Sequence, residues 1–312
     1  MSGKQATEVR MADAAGIDRA VQVLRGNGLV AIPTETVYGL AARADSDQAV
    51  ARIFAAKGRP SFNPLIVHVA NIEQAATLAE MNEEVRAFAA ANWPGPVTLV
   101  LPKRADANLA DAVTAGLDSV ALRIPRHEIA RQVLRKLGAP LAAPSANRSG
   151  FASPTTAAHV LATLDGRVDL VLDAGPCEEG VESTILKWCG SGTWKTLRPG
   201  PADSIAAKAN KVSGEQPTRI EAPGQLASHY SPGKPVRLNA ITAQADEYMI
   251  GFGDVQGDCS LSRSGNLAEA GRQLYACLHL AAASPKPRVA VAPVPATGIG
   301  VAINDRLGRA AT

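Results

Sequence analysis

An α/β fold is predicted by the alternation of short apolar β-type runs with amphipathic helical runs along the chain. Several strands follow one another without an intervening helix, which departs from strict βαβ repetition and indicates a mixed sheet. A stretch rich in Pro, Gly and Ser, Lys211 to Pro235, sets off a second, smaller α/β region. At 312 residues the chain is long enough for two cores.

The elements follow in order. Ile17–Arg25 reads as a helix stopped by Gly26-Asn27-Gly28. Leu29–Ile32 is a buried strand running into Pro33. Asp45–Ala56 is a helix with Val50, Ile53 and Phe54 at helical spacing, and Leu65–Val69 is a strand. Glu73–Ala91 is helical with a break near Asn82. Val97–Leu101 and Val120–Ile124 are strands ended by Pro102 and Pro125. Glu128–Leu137 is a helix stopped by Gly138, and Leu141–Ala143 is a strand. Thr155–Leu164 is a helix, and Leu170–Leu172, Thr184–Leu186 and Trp194–Leu197 are strands. In the second region, Tyr248–Phe252 and Val289–Ala292 are strands, and Leu267–Ala282 and Gly300–Ala311 are helices.

Composition narrows the function. Aromatics make up 4% of the residues, too few for the stacking platforms of single-strand binders. The net charge of +3 permits a polyanionic ligand or transient RNA contact without requiring a nucleic-acid partner. Cys177, Cys189, Cys259 and Cys277 form no C-x-x-C motif, so reduced thiols of a cytoplasmic protein are expected. The N-terminal residues show no apolar signal region, and Pro, Gly or charge breaks each apolar stretch before membrane-spanning length.

The densest chemistry lies in Lys57-Gly58-Arg59-Pro60-Ser61-Phe62-Asn63-Pro64, at a helix-to-strand junction. Arg offers a planar fork and Lys a point charge to anionic oxygens. A solvated helix C-terminus accounts for this stretch equally well. Pro33-Thr34-Glu35-Thr36-Val37-Tyr38 crowds hydroxyls, a carboxylate and a phenol into one turn after a strand, suited to a small polar ligand or simply to capping backbone groups. Ser145-Ala146-Asn147-Arg148-Ser149-Gly150 could let backbone N–H groups approach an anion, or cap the helix that follows. Glu182-Ser183-Thr184 and Arg198-Pro199-Gly200 are further polar strand ends, where α/β proteins assemble active sites. P-loop and G-x-G-x-x-G fingerprints, nucleophile elbows and clustered metal-binding histidines are absent from the sequence.

Together these segments closely resemble the YrdC-type L-threonylcarbamoyladenylate synthases in their long, two-domain form. The resemblance rests on PTETVYGL (33–40), KGRPSFNPLIVHV (57–69), WPGPVTLVL (93–101), VALRIP (120–125), APSANRSG (143–150), VESTIL (181–186) and LRPG (197–200). SHYSP (228–232) and INDRLGRAA (303–311) extend it to the end of the chain.

It implies a twisted, mixed-sheet catalytic domain at 13–202, a linker or lid at 203–235, and a smaller Rossmann-like α/β domain at 236–312. It also implies a cytoplasmic enzyme that makes threonylcarbamoyl-AMP and pyrophosphate from ATP, L-threonine and bicarbonate, with Mg²⁺ accompanying the nucleotide. A threonylcarbamoyl transferase complex would then modify ANN-decoding tRNAs. By motif position, Lys57 and Arg59 are the catalytic cations. Asn63, Ser119, Ser145, Asn147, Ser153, Arg198 and Tyr230 join them around ATP, and Thr36, His68, Arg123, Ala143 and Ser183 hold threonine, with Arg123 the partner for its carboxylate. The competing expectations are an RNA-binding module without synthase activity, a hydrogenase-maturation carbamoyl-transfer enzyme, whose C-x-x-C zinc motifs this sequence lacks, and a regulator that kept the fold and lost activity.

Overall fold

A computed structural model describes residues 6–202, 205, 220–226 and 229–312. Of the expected linker, 203–204, 206–219 and 227–228 lie outside the described residues, and so does Ser228 of the SHYSP motif.

The first unit is a ten-stranded mixed sheet in the order β1-β8-β2-β3-β7-β4-β6-β5-β9-β10. Its strands are β1 (Glu8–Met11), β2 (Val30–Ile32), β3 (Gly39–Arg43), β4 (Ile66–His68), β5 (Val97–Pro102), β6 (Ser119–Arg123), β7 (Leu141–Ala142), β8 (Leu170–Asp173), β9 (Thr184–Trp188) and β10 (Trp194–Arg198). Helices α1 (Ala14–Arg25), α2 (Asp47–Lys57), α3 (Ile72–Leu78), α4 (Glu83–Asn92), α5 (Asp111–Thr114), α6 (Glu128–Leu137) and α7 (Ala157–Leu164) surround it. One apolar cluster packs α2, α3, α4 and α7 on the sheet; another packs α1 and α6.

Short side chains end the helices where the sequence expects. Asn82 accepts from the Val85 amide and starts α4, which splits the long helical run in two. Ser46 caps α2 through the Ala49 amide. At the other end of α2, Gly58 takes φ 61° and the Arg59 amide donates to Phe54 O at 3.0 Å. That left-handed closure turns the chain so that Arg59 leaves the helix axis.

Four strands escape the sequence reading: the short β-type segments Val236–Arg237 and Cys259–Ser260 of the second region, and two in the first unit. β1 pairs in parallel with β8, so the sheet begins ahead of the expected domain start at residue 13. β3 follows the PTET turn and pairs antiparallel with β2, Ile32 opposite Gly39. Its sequence, GLAAR, carries no β-branched residue and gives no strand signal; pairing on both edges, with β2 and β7, makes it a strand. The Pro33–Tyr38 turn is therefore the connection of two central strands.

The second unit has a parallel sheet, β11-β14-β12-β13, built from β11 (Val236–Arg237), β12 (Glu247–Gly251), β13 (Cys259–Ser260) and β14 (Arg288–Val291). Helices α8 (Leu267–Ala283) and α9 (Gly300–Ala310) complete it. The two units meet at the carboxylate of Glu182. Arg306 of α9 donates to it from Nε at 2.9 Å, Tyr275 of α8 from its hydroxyl at 2.8 Å, and Ser153 of the first unit at 2.5 Å. Arg306 is fully buried and also donates to Pro199 O at 2.9 Å.

Removing one partner of a buried, hydrogen-bonded ion pair leaves a desolvated charge behind. Arg306→Ala is expected to lower unfolding free energy by about 3–5 kcal/mol, read by urea denaturation, with the two units losing cooperativity.

Candidate active site

The described cleft with the densest convergence of polar side chains opens at the strand ends of the large sheet. The β2–β3 turn brings Thr34 and Thr36, β4 His68, β6 Arg123, the loop after β7 Ala143 and Ser145, and the segment before β9 Glu182 and Ser183. Arg59 enters from the turn after α2, and Arg198 from the end of β10. The register of β9 and β10 slips between Thr196 and Arg198, and this bulge turns the Arg198 side chain into the cleft. Pro223, Gly224, His229 and Tyr230 of the linker complete the wall, leaving about 40 Å³ enclosed.

One end of the cleft is cationic. Arg59 donates to Asn63 O, Asn63 Oδ1 and Pro64 O at 3.1, 2.7 and 2.8 Å. Arg198 donates to Ser183 O and Oγ at 3.1 and 3.2 Å and to Pro223 O at 3.2 Å. Both are held by neutral oxygens, and neither forms an ion pair among the described residues. Burial pulls the Arg59 guanidinium down to about 10, which still leaves it charged at neutral pH. The site thus carries preorganised positive charge that an anion can use.

The other end is built for a small polar molecule. Arg123 pairs with the buried Glu35 carboxylate at 2.7 Å and donates from Nη1 to Thr36 Oγ1 at 2.9 Å and from Nε to Gly95 O at 3.2 Å. Burial alone would raise Glu35, but Arg123's charge and hydrogen bond outweigh it and hold the carboxyl at about 2. His68, opposite Arg123 in the β4–β6 register, is pushed down to about 3, first by burial and then by Arg123's charge. It is neutral at physiological pH, so it offers a hydrogen bond rather than a charge, and it is too weakly basic for efficient proton abstraction. Ser183 Oγ lies 2.7 Å from Thr98 Oγ1.

Several buried polar atoms here lack a protein partner: both His68 ring nitrogens, Asn63 Nδ2, Asn147 Oδ1, His229 Nδ1 and Tyr230 Oη. Each such atom costs roughly 1–3 kcal/mol when desolvated and unpaired, so their concentration around one cleft marks a binding site.

The linker closes this cleft. Gly224 takes φ 86°, and a Cβ there would lie 2.7 Å from Tyr230 Oη and 3.0 Å from Arg198 Cδ. Ala222 packs against Ile66, Val100, Ala121 and Ile185 on the sheet face. Arg309 of α9 donates to Leu226 O at 2.7 Å, and the Ser231 amide to Gly150 O at 2.8 Å, so both units hold the linker down.

Of the residues named from sequence, Thr36, Arg59, His68, Arg123, Ala143, Ser145, Ser183, Arg198 and Tyr230 share the cleft. Four stand behind its wall. Lys57 Nζ donates to Ser145 O and Asn147 O at 2.6 and 2.5 Å, pinning the loop after β7. Burial and then Arg59's charge drive its pKa well below the usual lysine value. Asn63 braces Arg59; Asn147 Nδ2 donates to Arg148 O and Phe151 O; Ser153 holds Glu182. Ser119 lines a separate concavity with Lys187 and Glu221, on the far side of the Ala222 segment.

The sequence reading left out Glu35, Glu182 and His229. Glu35 and Glu182 stand within quoted motifs, but nothing in their spacing shows that each meets a buried arginine. Glu182, the lining carboxylate, is committed to Arg306, Tyr275 and Ser153, and no group of three or more acidic, His or Cys side chains is placed to hold a metal among the described residues. A magnesium ion arriving with a nucleotide would take most of its ligands from phosphate and water.

A cleft with cations at one end and neutral hydrogen-bonding groups at the other belongs to an enzyme that handles a polyanion beside a small polar substrate. Family models agree. The Sua5, YciO and YrdC model, described as telomere recombination, matches residues 22–200, and the threonylcarbamoyl-AMP synthase C-terminal domain matches 193–312. The threonylcarbamoyl-AMP synthase of Bacillus subtilis is 38% identical, covering 95% of this chain and 92% of that protein. That of Pyrococcus abyssi is 36% identical, covering 93% and 92%. The crystal structure of P. abyssi Sua5 complexed with L-threonine matches with a TM-score of 0.86 at 34% identity, over 98% of this chain and 96% of that one. The chain belongs to the threonylcarbamoyl-AMP synthase family, in its two-domain form.

Glu35 and Glu182 both sit at about 2, against an ordinary value of 4.5. For Glu182, burial raises the carboxyl and the charges of Arg306 and Arg198 overcome it. A carboxyl depressed in the folded state adds stability above its unfolded pKa and loses it as pH falls through the folded one. Unfolding free energy is therefore expected to drop steadily from about pH 4.5 toward pH 2, measured by denaturant titration across that range. Glu35→Gln should flatten part of this slope.

Proposed function

We propose that this protein condenses L-threonine, bicarbonate and ATP into threonylcarbamoyl-AMP and pyrophosphate. The observation that carries this reading is the junction, in one closed cleft, of two guanidinium groups that form no ion pair among the described residues with the Thr36–His68–Ser183 pocket. Family membership over nearly the whole chain supports the same assignment. The product serves threonylcarbamoylation of ANN-decoding tRNAs by a separate transferase complex.

The chemistry asks little covalent work of the protein. Threonine's amine and bicarbonate give a carbamate; its oxygen attacks the α-phosphorus, and pyrophosphate leaves. The enzyme holds the reactants in line and neutralises charge on the phosphates. Arg59 and Arg198 are placed for that charge, and Asn63 keeps Arg59 oriented. Thr36, Ser183 and neutral His68 receive the amino acid, with Arg123 held in place by Glu35. Lys57 acts by fixing the carbonyls of the Ser145–Asn147 loop and reaches the phosphates only if that loop yields.

An enclosed volume of about 40 Å³ is far below the ~300 Å³ or more that small-molecule sites provide. The linker therefore lifts to admit ATP. Lifting Glu221–Gly224 would join the concavity at Ser119 to the main cleft, giving one groove long enough for a nucleotide. Tyr230 then closes on the bound substrates.

The deciding experiment is pyrophosphate release with each substrate omitted in turn. Release that requires threonine and bicarbonate supports the synthase reading; release without threonine, or none at all, overturns it. Arg59→Ala should lower kcat/KM by roughly 2–4 kcal/mol of transition-state stabilisation, as for loss of one preorganised donor. Tyr230→Ala should weaken ATP binding, read by calorimetry, with the circular dichroism spectrum unchanged.

A further inference from the structure

Thr98 is 0% exposed, on the face of β5 that also carries Val100. Val100 packs there with Ile66, Ala121 and Ile185 under Ala222, so the surroundings are apolar. Packing alone gives no use for a hydroxyl at this position, since Val has the same branched shape and suits such a face. Side chains two residues apart share one face of a strand. Thr98 stands opposite Ile185 in the parallel β5–β9 register, and Ser183, two residues ahead of Ile185, falls on the same side. The Thr98 and Ser183 hydroxyl oxygens are 2.7 Å apart. Ser183 lines the cleft and Thr98 stands behind it.

We propose, resting on the threonine reading of this cleft, that Thr98 is a positioning residue that makes the Ser183 hydroxyl a hydrogen-bond donor to an oxygen of the amino-acid substrate. The direction follows from the count of protons and lone pairs. An arginine N–H only donates, so Ser183 Oγ accepts from Arg198 Nη2, 3.2 Å away. A hydroxyl has one proton and two lone pairs. If Ser183 gave its proton to Thr98, the Thr98 proton would have no acceptor among the described residues. A buried donor left unpaired is costly. Thr98 therefore donates to Ser183, both lone pairs of Ser183 are taken, and the Ser183 proton is left for the cleft.

That state of Ser183 selects its ligand atom. A carboxylate or hydroxyl oxygen of an amino acid accepts the proton; an ammonium group finds no lone pair to use. The guanidinium on the same oxygen draws electron density from the Ser183 O–H and strengthens it as a donor. Arg198 also donates from Nε to Ser183 O at 3.1 Å, so the backbone and the side chain of Ser183 are both held.

The test is a double-mutant cycle on the full chain, read by calorimetric titration with L-threonine and by steady-state kinetics. Thr98→Val should weaken L-threonine by about fivefold, the weight of one neutral hydrogen bond. KM for threonine should rise accordingly, with little change in kcat or in KM for ATP. Thr98→Ser, which keeps the hydroxyl, should restore the affinity. Ser183→Ala should also weaken threonine, and adding Thr98→Val to it should cost nothing more. Wild-type threonine affinity in Thr98→Val, or full additivity of the two substitutions, overturns the positioning role. Equal losses for threonine and ATP that Thr98→Ser does not rescue mark a folding defect and overturn it as well. A wild-type chain that binds no L-threonine overturns the threonine reading itself and the role of Thr98 with it, so the wild-type titration tells the two failures apart.

Discussion

The buried carboxylate of Glu182 is the point on which the assembly turns. It is a largely buried charge, and three donors from three parts of the chain satisfy it. Burying a charge is tolerable only when it is paired and hydrogen-bonded. The carboxylate therefore fixes how α8, α9 and the Ser153 loop sit against one another. Ser183 follows it directly in sequence, and Arg198 reaches back to Ser183, so the same constraint sets the wall of the cleft.

The linker inherits its position from this arrangement. Arg306, which grips Glu182, also stands over the Tyr230 ring at 5.4 Å, and Arg309 one turn later holds Leu226. Among the described residues none of the second unit lines the cleft; that unit holds down the segment that closes it. This closed state leaves buried polar atoms unpartnered on His68, His229 and Tyr230, and a substrate that pairs them returns the free energy lost in their desolvation.

Charge within the cleft is divided between two regimes. Arg123 is neutralised by Glu35 and orients Thr36, whereas Arg59 and Arg198 are held only by neutral oxygens. Arg123, to which the resemblance gives the threonine carboxylate, is already paired with Glu35 in this structure. Lys57 and Arg59, one residue apart, diverge because Gly58 reverses the chain between them. One pins a loop; the other faces the cleft.

Much of the fold was legible in the sequence because apolar periodicity, Asn and Ser caps and terminal glycines are local signals. The α3–α4 break at Asn82 and the end of α6 at Gly138 are written in single residues. The motifs pointed to the cleft only when taken together, because backbone capping or a solvated helix end accounts for each of them singly. What tertiary structure alone decided were pairings across long stretches of chain. β3 is a strand only because β2 and β7 flank it, and Glu182 meets Arg306 from the last helix. Sequence spacing carries no information about such partners, because the energy that selects them comes from burial and pairing, which exist only once the chain is packed.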